Sequence, residues 1–143
     1  PIKIDQETRH ITLAYFEKKS TVDYIGAVQG IPVCFDAKEC AVDTFALQNI
    51  HKHQVRFMER FEQQGGVAFF LIYYTHRDRL YYLPFPRLLR FWRRAEEGGR
   101  KSFRLEELDP AFFLPKKHGV LVPYLDTLQL DLEKREEHEQ TGK

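Results

Sequence analysis

Two aspartates and a lysine are spaced along this sequence in a way that suits the hydrolysis of phosphodiesters. The segment Cys-Phe-Asp-Ala-Lys-Glu, residues 34–39, ends a predicted strand. Because side chains alternate along a strand, Asp36 and Lys38 share one face and the residues around them face the other way. Asp23 lies on the preceding predicted strand, and a hairpin can bring its carboxylate beside Asp36. Two carboxylates and one lysine would then converge at one end of a sheet.

This grouping has a defined chemistry. Carboxylates are hard oxygen ligands for Mg²⁺ or Mn²⁺, and a bound ion neutralises a phosphate and lowers the pKa of an attacking water. A lysine beside them can orient the water and stabilise the charge on a pentacoordinate phosphorane. The Asp-x-Lys tripeptide is also common by chance, and an exposed ion pair on a solvated edge strand is the alternative interpretation. The paired strand that carries Asp23 and the helix that follows support the nuclease interpretation, and the residues alone leave both open.

The elements that position these residues follow from the hydrophobic pattern. Residues 22–28 and 31–38 are predicted strands, and the Gln-Gly pair between them predicts a turn, which makes a hairpin. Asp43-Thr44 offers a helix N-cap, and apolar residues then recur at helical spacing from Phe45 onwards. The glycine pair at residues 65–66 ends that helix.

The second half of the chain continues the alternation of strands and helices. Residues 67–74 form a near-continuous apolar run with aromatics, which is typical of a strand buried on both faces. Residues 80–83 predict a further strand, and a short helix is expected from Pro86 to Arg94. Residues 100–130 carry several prolines and predict one short helix and an edge strand. The expected fold is α/β, with a central mixed β-sheet flanked by α-helices.

Several separate segments resemble the RecU family of Holliday junction resolvases, in order and in approximate spacing. They are residues 20–26, 35–39, 45–54, 91–92, 99–103 and 119–126. The resemblance covers nearly all of residues 14–128. It implies a restriction-endonuclease-like fold of the PD-(D/E)xK superfamily and a homodimer. It also implies an enzyme that uses Mg²⁺ or Mn²⁺ to nick paired strands of branched DNA, the four-way junctions of recombination and repair, and that works beside a recombinase.

The resemblance assigns roles to individual residues. Asp23 would be the first metal carboxylate and Asp36 the second, at a position where the family usually has glutamate. Lys38 would be the catalytic lysine, and Gln48 the helix residue that accompanies such sites. Glu39 faces the other side of the strand and is the weaker candidate.

The sequence also departs from the family pattern. Val22 stands where the family usually has a threonine before the first aspartate, and Cys34 stands on the Asp36 face where the family has an acid. Residues 1–13 resemble a shortened form of the basic stalk that RecU proteins insert into the junction centre. The resemblance begins after the family's N-terminal arm and first helix, part of which belongs to the family's active site.

Charge is segregated along the chain although the totals nearly cancel, with 22 Lys and Arg against 21 Asp and Glu. The basic residues concentrate between residues 87 and 104, and the C-terminal end is acidic. Helical spacing places Arg87, Arg90 and Arg94 on one face, and Arg100 and Lys101 follow a glycine pair. These five residues are the predicted phosphate contacts for DNA. A solvated helix face with extended arginines is the alternative.

Length and composition indicate one domain, residues 1–143, of which residues 131–143 are an expected flexible acidic tail. No apolar run approaches the roughly 20 residues of a membrane helix, so no contact with a membrane is expected. The two cysteines lack zinc spacing, and His51 and His53, two apart on a predicted helix, cannot share a face. Free thiols and a start without a secretory pattern predict a reducing, intracellular compartment. The resemblance to RecU implies more narrowly a cytoplasmic, nucleoid-associated protein of a bacterium or phage.

Three functions are therefore compatible with the sequence. The first is a metal-dependent, structure-selective endonuclease that resolves Holliday junctions by paired nicks. The second is a junction-binding architectural or recombinase-modulating protein with weak or no cleavage, which the altered residues Val22 and Cys34 favour. The third is an endonuclease of the same fold with another DNA substrate, which the shortened stalk favours.

Overall fold

The computed structural model describes residues 21–117, 120–121 and 125–141. Its elements in chain order are β1 (Tyr24–Val28), β2 (Ile31–Cys40), β3 (Thr44–Ala46), α1 (Lys52–Gln63), β4 (Val67–Tyr74), β5 (Arg79–Pro84), α2 (Phe85–Glu96), β6 (Ser102–Arg104), β7 (Lys116–Lys117), β8 (Val120–Leu121) and α3 (Leu125–Thr141). Short 3-10 helices occupy Leu47–Asn49, Leu105–Glu107 and Pro110–Phe112. Within the described residues, no helix is long and apolar enough to cross a membrane.

A four-stranded mixed sheet forms the centre of the fold. Its strand order is β1-β2-β4-β5, with β2 parallel to β4 and the other two pairs antiparallel. The β1–β2 hairpin and the internal strand β4 are those predicted from the sequence. The apolar run of β4 is explained by its position, since seven of its eight residues are buried between neighbouring strands and the helices. The predicted α/β class, a central mixed sheet flanked by helices, is confirmed.

Helices cover both faces of this sheet. α1 makes the crossover from β2 to the parallel strand β4 and contacts Asp36 and Lys38 through Gln54. α3 contacts Tyr82, whose partner across the β4–β5 pair is Leu71. Because Leu71 is in register with Ala37, and neighbours alternate along β2, α1 and α3 lie on opposite faces.

The helix expected from Phe45 begins later than predicted. Residues 44–46 form strand β3, which pairs with β6, and the helix proper starts at Lys52. The physical reason is the burial of Phe45, which is stacked on Phe103 across this two-stranded sheet at a centroid distance of 5.0 Å. The carboxylate of Asp43 binds Arg77 and His76 instead of capping a helix.

The C-terminal region also differs from the expectation of a flexible tail. Residues 125–141 form the helix α3, which buries Leu128 in the hydrophobic core and is also held by polar side chains. Arg135 donates to Asp131 at 2.8 Å and to Glu62 of α1 at 3.0 Å, and Tyr82 donates to Asp131 at 2.6 Å. The sequence pattern predicted that these charged residues belong to a solvated tail. In the structure they hold the helix α3 against the sheet and α1. The shortened stalk, residues 1–13, lies outside the described residues.

Candidate active site

The β1–β2 hairpin brings the two predicted carboxylates together. Tyr24 pairs with Phe35, so Asp23, just before β1, lies next to Asp36 on β2. The backbone N–H of Asp23 donates to the Asp36 carboxylate at 3.0 Å, and the backbone N–H of Ala37 donates to the Asp23 carboxylate at 2.9 Å. Each carboxylate is thus held by the backbone of the opposite strand. Asp36 is 4% exposed, whereas Asp23 is open to solvent.

Lys38 lies on the same face of β2, as the alternation of the strand requires. Its ammonium is 2.9 Å from Asp36 Oδ2 and donates to Gln54 Oε1 at 3.2 Å. The Lys38 side chain is 17% exposed, so it borders the site and still reaches solvent. The structure therefore brings Asp23, Asp36 and Lys38 into one group.

Gln54, in the first turn of α1, completes this group. Its Nε2 donates to Asp36 Oδ2 at 3.1 Å and to the carbonyl of Thr21 at 3.0 Å. Its Oε1 accepts from Lys38 and from the backbone N–H of His51, each at 3.2 Å. The amide therefore uses both of its N–H donors and both acceptor positions, which fixes its orientation.

The structure does not bring Gln48 to the site. Gln48 is exposed on the 3-10 helix before α1 and borders a surface groove of about 350 Å³ together with Trp92. Because the helix starts later, the glutamine that contacts Asp36 and Lys38 is Gln54. A signal for it exists in the sequence, because Gln54 lies one turn before the buried Met58 and is a polar residue on an otherwise apolar helix face.

The electrostatics of the site favour a cation between the carboxylates. Burial raises the pKa of Asp36 above its ordinary value, the hydrogen bond and charge of Lys38 oppose this, and the nearby Asp23 carboxylate raises the pKa further. A divalent ion would relieve this repulsion, and its preferred ligands are such oxygens. Among the described residues no group of three or more His, Cys, Asp or Glu is arranged to hold a metal. Two carboxylates nevertheless fit Mg²⁺, which in proteins keeps water and substrate phosphate as its other ligands.

The neighbours of the site are apolar or turned away from it. Cys34 is fully buried, and its burial, followed by the charges of Glu62 and Asp36, raises the pKa of its thiol far above the ordinary value. Val22 is buried as well. Glu39 is exposed and paired in register with Tyr73, on the strand face opposite Asp36. None of these three adds an ionised ligand to the pair of aspartates.

Two histidines lie at the N-terminus of α1. The rings of His51 and His53 stack at a centroid distance of 5.4 Å with an interplanar angle of 9°. The expectation that they cannot share a face was wrong, because His51 has the extended backbone of an N-cap residue and is not part of the helix. Both side chains are exposed.

The five predicted phosphate contacts divide into two groups. Arg94 donates to the Glu107 carboxylate at 2.6 Å and to the carbonyl of Ser102 at 2.8 Å, and Arg87 donates to the carbonyl of Glu107 at 2.8 Å. These two guanidinium groups bind the protein itself. The other group consists of Arg90, Arg100 and Lys101, which are exposed and form no side-chain hydrogen bond or ion pair with another described residue.

Comparison of the sequence with known proteins identifies a family. A family model described as recombination protein U matches residues 1–130. A protein of Pediococcus pentosaceus named Holliday junction resolvase RecU is 36% identical over 137 residues, which cover 92% of this chain and 68% of that protein. Proteins with the same name are 35% identical over 132 residues in Limosilactobacillus reuteri and 38% identical over 122 residues in Staphylococcus aureus.

These matches cover most of this chain and a smaller share of the relatives. The Limosilactobacillus match covers 89% of this chain and 65% of the relative, and the Staphylococcus match covers 85% and 55%. The chain therefore spans between about half and two thirds of the length of these curated relatives.

Proposed function

The chain belongs to the RecU family, and from this premise we propose that it is a metal-dependent endonuclease that resolves Holliday junctions in recombination and repair. The names of the relatives supply the substrate class, the four-way DNA junction. One observation carries the proposal for this chain: the backbone-held pair Asp23 and Asp36 beside the ammonium of Lys38.

In this proposal Asp23 and Asp36 hold Mg²⁺ or Mn²⁺. The ion would supply charge neutralisation of the scissile phosphate and a lower pKa of the attacking water. The protein contributes rigidity, because hydrogen bonds from the opposite strand limit rotation of both carboxylates. Preorganised ligands need no rearrangement when substrate arrives, which is the main way in which an electrostatic site accelerates a reaction.

Lys38 and Gln54 both contact Oδ2 of Asp36, on the face of the sheet that α1 covers. Within the described residues Asp36 and Gln54 take two of the three N–H groups of the Lys38 ammonium, which leaves the third for a phosphate oxygen or a water. Gln54 is a positioning residue, since it binds Asp36 and Lys38 and is buried beneath them. Removing a residue that orients the groups of such a site typically lowers activity about 10- to 100-fold.

The DNA path in this proposal uses the exposed cations of the second half of the chain. Arg90, Arg100 and Lys101 would neutralise phosphates. Arg87 and Arg94, which the sequence also assigned to DNA, hold α2 against the segment around Glu107.

The proposed assembly is a homodimer, because two symmetric sites deliver two matched nicks in one binding event. A recombinase is the proposed protein partner. Light scattering at micromolar concentration that finds only the monomer would remove the basis for paired nicking.

A second candidate function is junction binding with weak or no cleavage. The observation that favours it is the absence of a third ionised ligand among the described residues, since Cys34 and Val22 are buried and uncharged. A metal held by only two carboxylates depends more on water and substrate for its remaining ligands. Binding of DNA would then survive where catalysis is poor.

A cleavage assay separates the two functions. Synthetic four-way junctions and matched linear duplex are incubated with the protein in Mg²⁺, Mn²⁺ or EDTA, and Asp36→Asn serves as the matched inactive variant. The endonuclease proposal requires junction nicking in metal, none in EDTA and none by Asp36→Asn. Junction binding without nicking in either metal supports the second function. Nicking of duplex and junction at equal rates would replace the junction with another DNA substrate.

A further inference from the structure

The outer face of α1 carries a row of cations that the proposed mechanism does not use. Lys52, Arg56 and Arg60 follow one another at intervals of four residues, so they lie on one side of the helix. Gln54 and Met58 lie on the opposite side and are buried. All three cations are exposed, and none forms a side-chain hydrogen bond or ion pair with another described residue. We call these three residues the α1 stripe.

The acids of α1 are already bound elsewhere. Glu59 lies 3.5 Å from the guanidinium of Arg93 on α2, and Glu62 accepts from the backbone N–H of Ala68 and from Arg135 of α3. The remaining residues of this helix are uncharged or carry histidine side chains. Glu59 is the acid of α1 that lies on the same side of the helix as the stripe, three residues after Arg56, and it is shared with Arg93 of α2. The three cations of the stripe together with Arg93 therefore outnumber the one acid on this side of α1.

This arrangement is unfavourable for an isolated helix. Like charges at positions i and i+4 repel, and the stripe contains two such pairs in succession. A protein surface that keeps such a row gains from a polyanion that neutralises it. A sequence of alternating Glu and Lys at the same positions would have stabilised the helix instead.

The position of the stripe connects it with the candidate active site. α1 begins directly after His51, whose backbone N–H binds the Gln54 amide that contacts Asp36 and Lys38. From this end the stripe extends eight residues, about 12 Å at 1.5 Å per residue. One DNA strand presents a phosphate about every 3.4 Å along the axis, so the stripe spans roughly three or four phosphates.

The layer beside α1 continues the positive surface. Arg93, which pairs with Glu59, holds α2 alongside α1, and Arg90 lies on the exposed side of α2. Glu59 of α1, the acid beside the stripe, is thus paired with a cation of α2. A duplex that crosses both helices would meet Lys52, Arg56, Arg60 and Arg90 without an unpaired described acid of α1 between them.

We propose that the α1 stripe is a binding surface for the sugar-phosphate backbone of the DNA arm that leads away from the scissile phosphate. The inference rests on the proposed function, because it takes the Asp23–Asp36 pair as the cleavage centre. The stripe contacts phosphates and reads no bases, since its residues form a row of point charges with no groove-inserting element. It adds a DNA-binding surface on α1 to the one assigned to Arg90, Arg100 and Lys101.

The test measures binding without cleavage. Affinity for a fixed four-way junction is measured in EDTA at several salt concentrations for the wild type and for Arg56→Gln/Arg60→Gln. Arg77→Gln/Arg104→Gln is the matched control, because it makes the same change in net charge at cations that pair with Asp43 and Glu106 on another surface. The slope of log K against log salt should fall by about two units in the stripe variant and remain at the wild-type value in the control. Equal salt slopes in all three proteins, or an equal reduction of the slope in both variants, would contradict the proposal that the α1 stripe binds DNA.

A second measurement separates failure of the stripe from failure of the proposed function. In metal, the stripe variant should require a higher protein concentration for half-maximal nicking, although it retains Asp23, Asp36 and Lys38, whereas the Arg77→Gln/Arg104→Gln control should nick at the wild-type rate and concentration. A wild type that binds the junction and nicks nothing contradicts the proposed nuclease, whatever the salt slopes show. A wild type that nicks while the stripe variant keeps the wild-type slope contradicts the stripe alone. Thermal melting of both double variants at the wild-type temperature confirms that the changes are confined to the surface.

Discussion

The amide nitrogen of Gln54 donates a 3.1 Å hydrogen bond to the buried carboxylate of Asp36 and so ties the first turn of α1 to β2. The same amide accepts from Lys38 and donates to the Thr21 carbonyl just before Asp23. A reversed amide would direct N–H groups at the donors of Lys38 and His51, so only one orientation satisfies the site. Helix, hairpin and lysine are thereby fixed relative to one another by one side chain.

Replacing Gln54 should loosen the site and destabilise the fold. Gln54→Met keeps the volume but removes four hydrogen bonds, which leaves the Asp36 carboxylate with one donor fewer in a buried position. We expect a loss of about 2 kcal/mol in the free energy of unfolding and a nicking rate lower by about 10- to 100-fold. Urea unfolding and single-turnover cleavage measure the two effects.

Gln48→Met is the matched control for this change. Gln48 is exposed and away from the carboxylates, so the same substitution there should alter the unfolding free energy by less than about 0.5 kcal/mol. Cleavage should continue at the wild-type rate. A variant of Gln48 that lost activity while Gln54→Met kept it would return the companion role to Gln48.

Metal binding should depend on both aspartates. Isothermal titration of the wild type with Mn²⁺ should show a site that Asp23→Asn and Asp36→Asn each weaken strongly, because removing either carboxylate leaves a single charged ligand. Junction affinity in EDTA should be retained by both variants, since these carboxylates are not phosphate contacts. Full retention of Mn²⁺ binding in both variants would place the ion elsewhere.

The raised pKa of Asp36 makes a prediction about stability in the absence of metal. In EDTA, Asp36 is protonated in folded and unfolded chains at low pH, and above about pH 4 the unfolded chain ionises first. Asp36 therefore contributes stability at low pH that is lost as the pH rises through its folded pKa. Asp36→Asn has no such loss, so its stability relative to the wild type should increase with pH and then level off. Urea unfolding across this range tests the sign, and a relative stability that decreases with pH would mean that the ion pair with Lys38 outweighs burial.

Much of this site could be predicted from the sequence because it depends on local geometry. Alternation along β2 places Asp36 and Lys38 on one face, and a tight hairpin leaves Asp23 only one neighbouring strand. These relations require no knowledge of distant residues. The central strand β4 was equally predictable, since a run of buried apolar residues has few alternatives to a strand covered on both faces.

The parts that sequence reasoning missed depend on distant partners. Residues 44–46 became a strand because Phe103, more than fifty residues later, stacks on Phe45. That shift moved the helix start and with it the companion glutamine. The acidic C-terminal segment resembled a solvated tail because its partners, Glu62 and Tyr82, lie far away in the chain. Charge patterns alone do not reveal whether an acid faces water or a buried arginine.

The docking of α3 gives a stability prediction. Arg135 lies between the carboxylates of Asp131 and Glu62, and Asp131 is 3% exposed. Arg135→Met leaves two acids without their shared cation, so the free energy of unfolding should decrease by about 3 kcal/mol. Lys134→Met removes an exposed ion pair with Asp109 and should change it by less than about 1 kcal/mol. Urea unfolding of both variants checks the contrast, and equal small effects would show that α3 does not depend on this network.

The arginines of α2 should separate into structural and DNA-binding residues. Arg94→Ala removes the hydrogen bonds to Glu107 and to the Ser102 carbonyl, so it should lower the unfolding free energy by about 1 kcal/mol. Arg90→Ala and Lys101→Ala remove exposed side chains, and thermal melting should be unchanged. Each of these two should reduce the salt slope of junction binding by about one unit, because one fewer phosphate is neutralised and one fewer counterion is released. If Arg94→Ala alone reduced the slope while its melting temperature stayed at the wild-type value, the Glu107 contact would have to open on DNA. If neither Arg90→Ala nor Lys101→Ala changed the slope, α2 would be a solvated face and DNA would have to bind another surface, such as the α1 stripe on the helix whose first turn contacts Asp36.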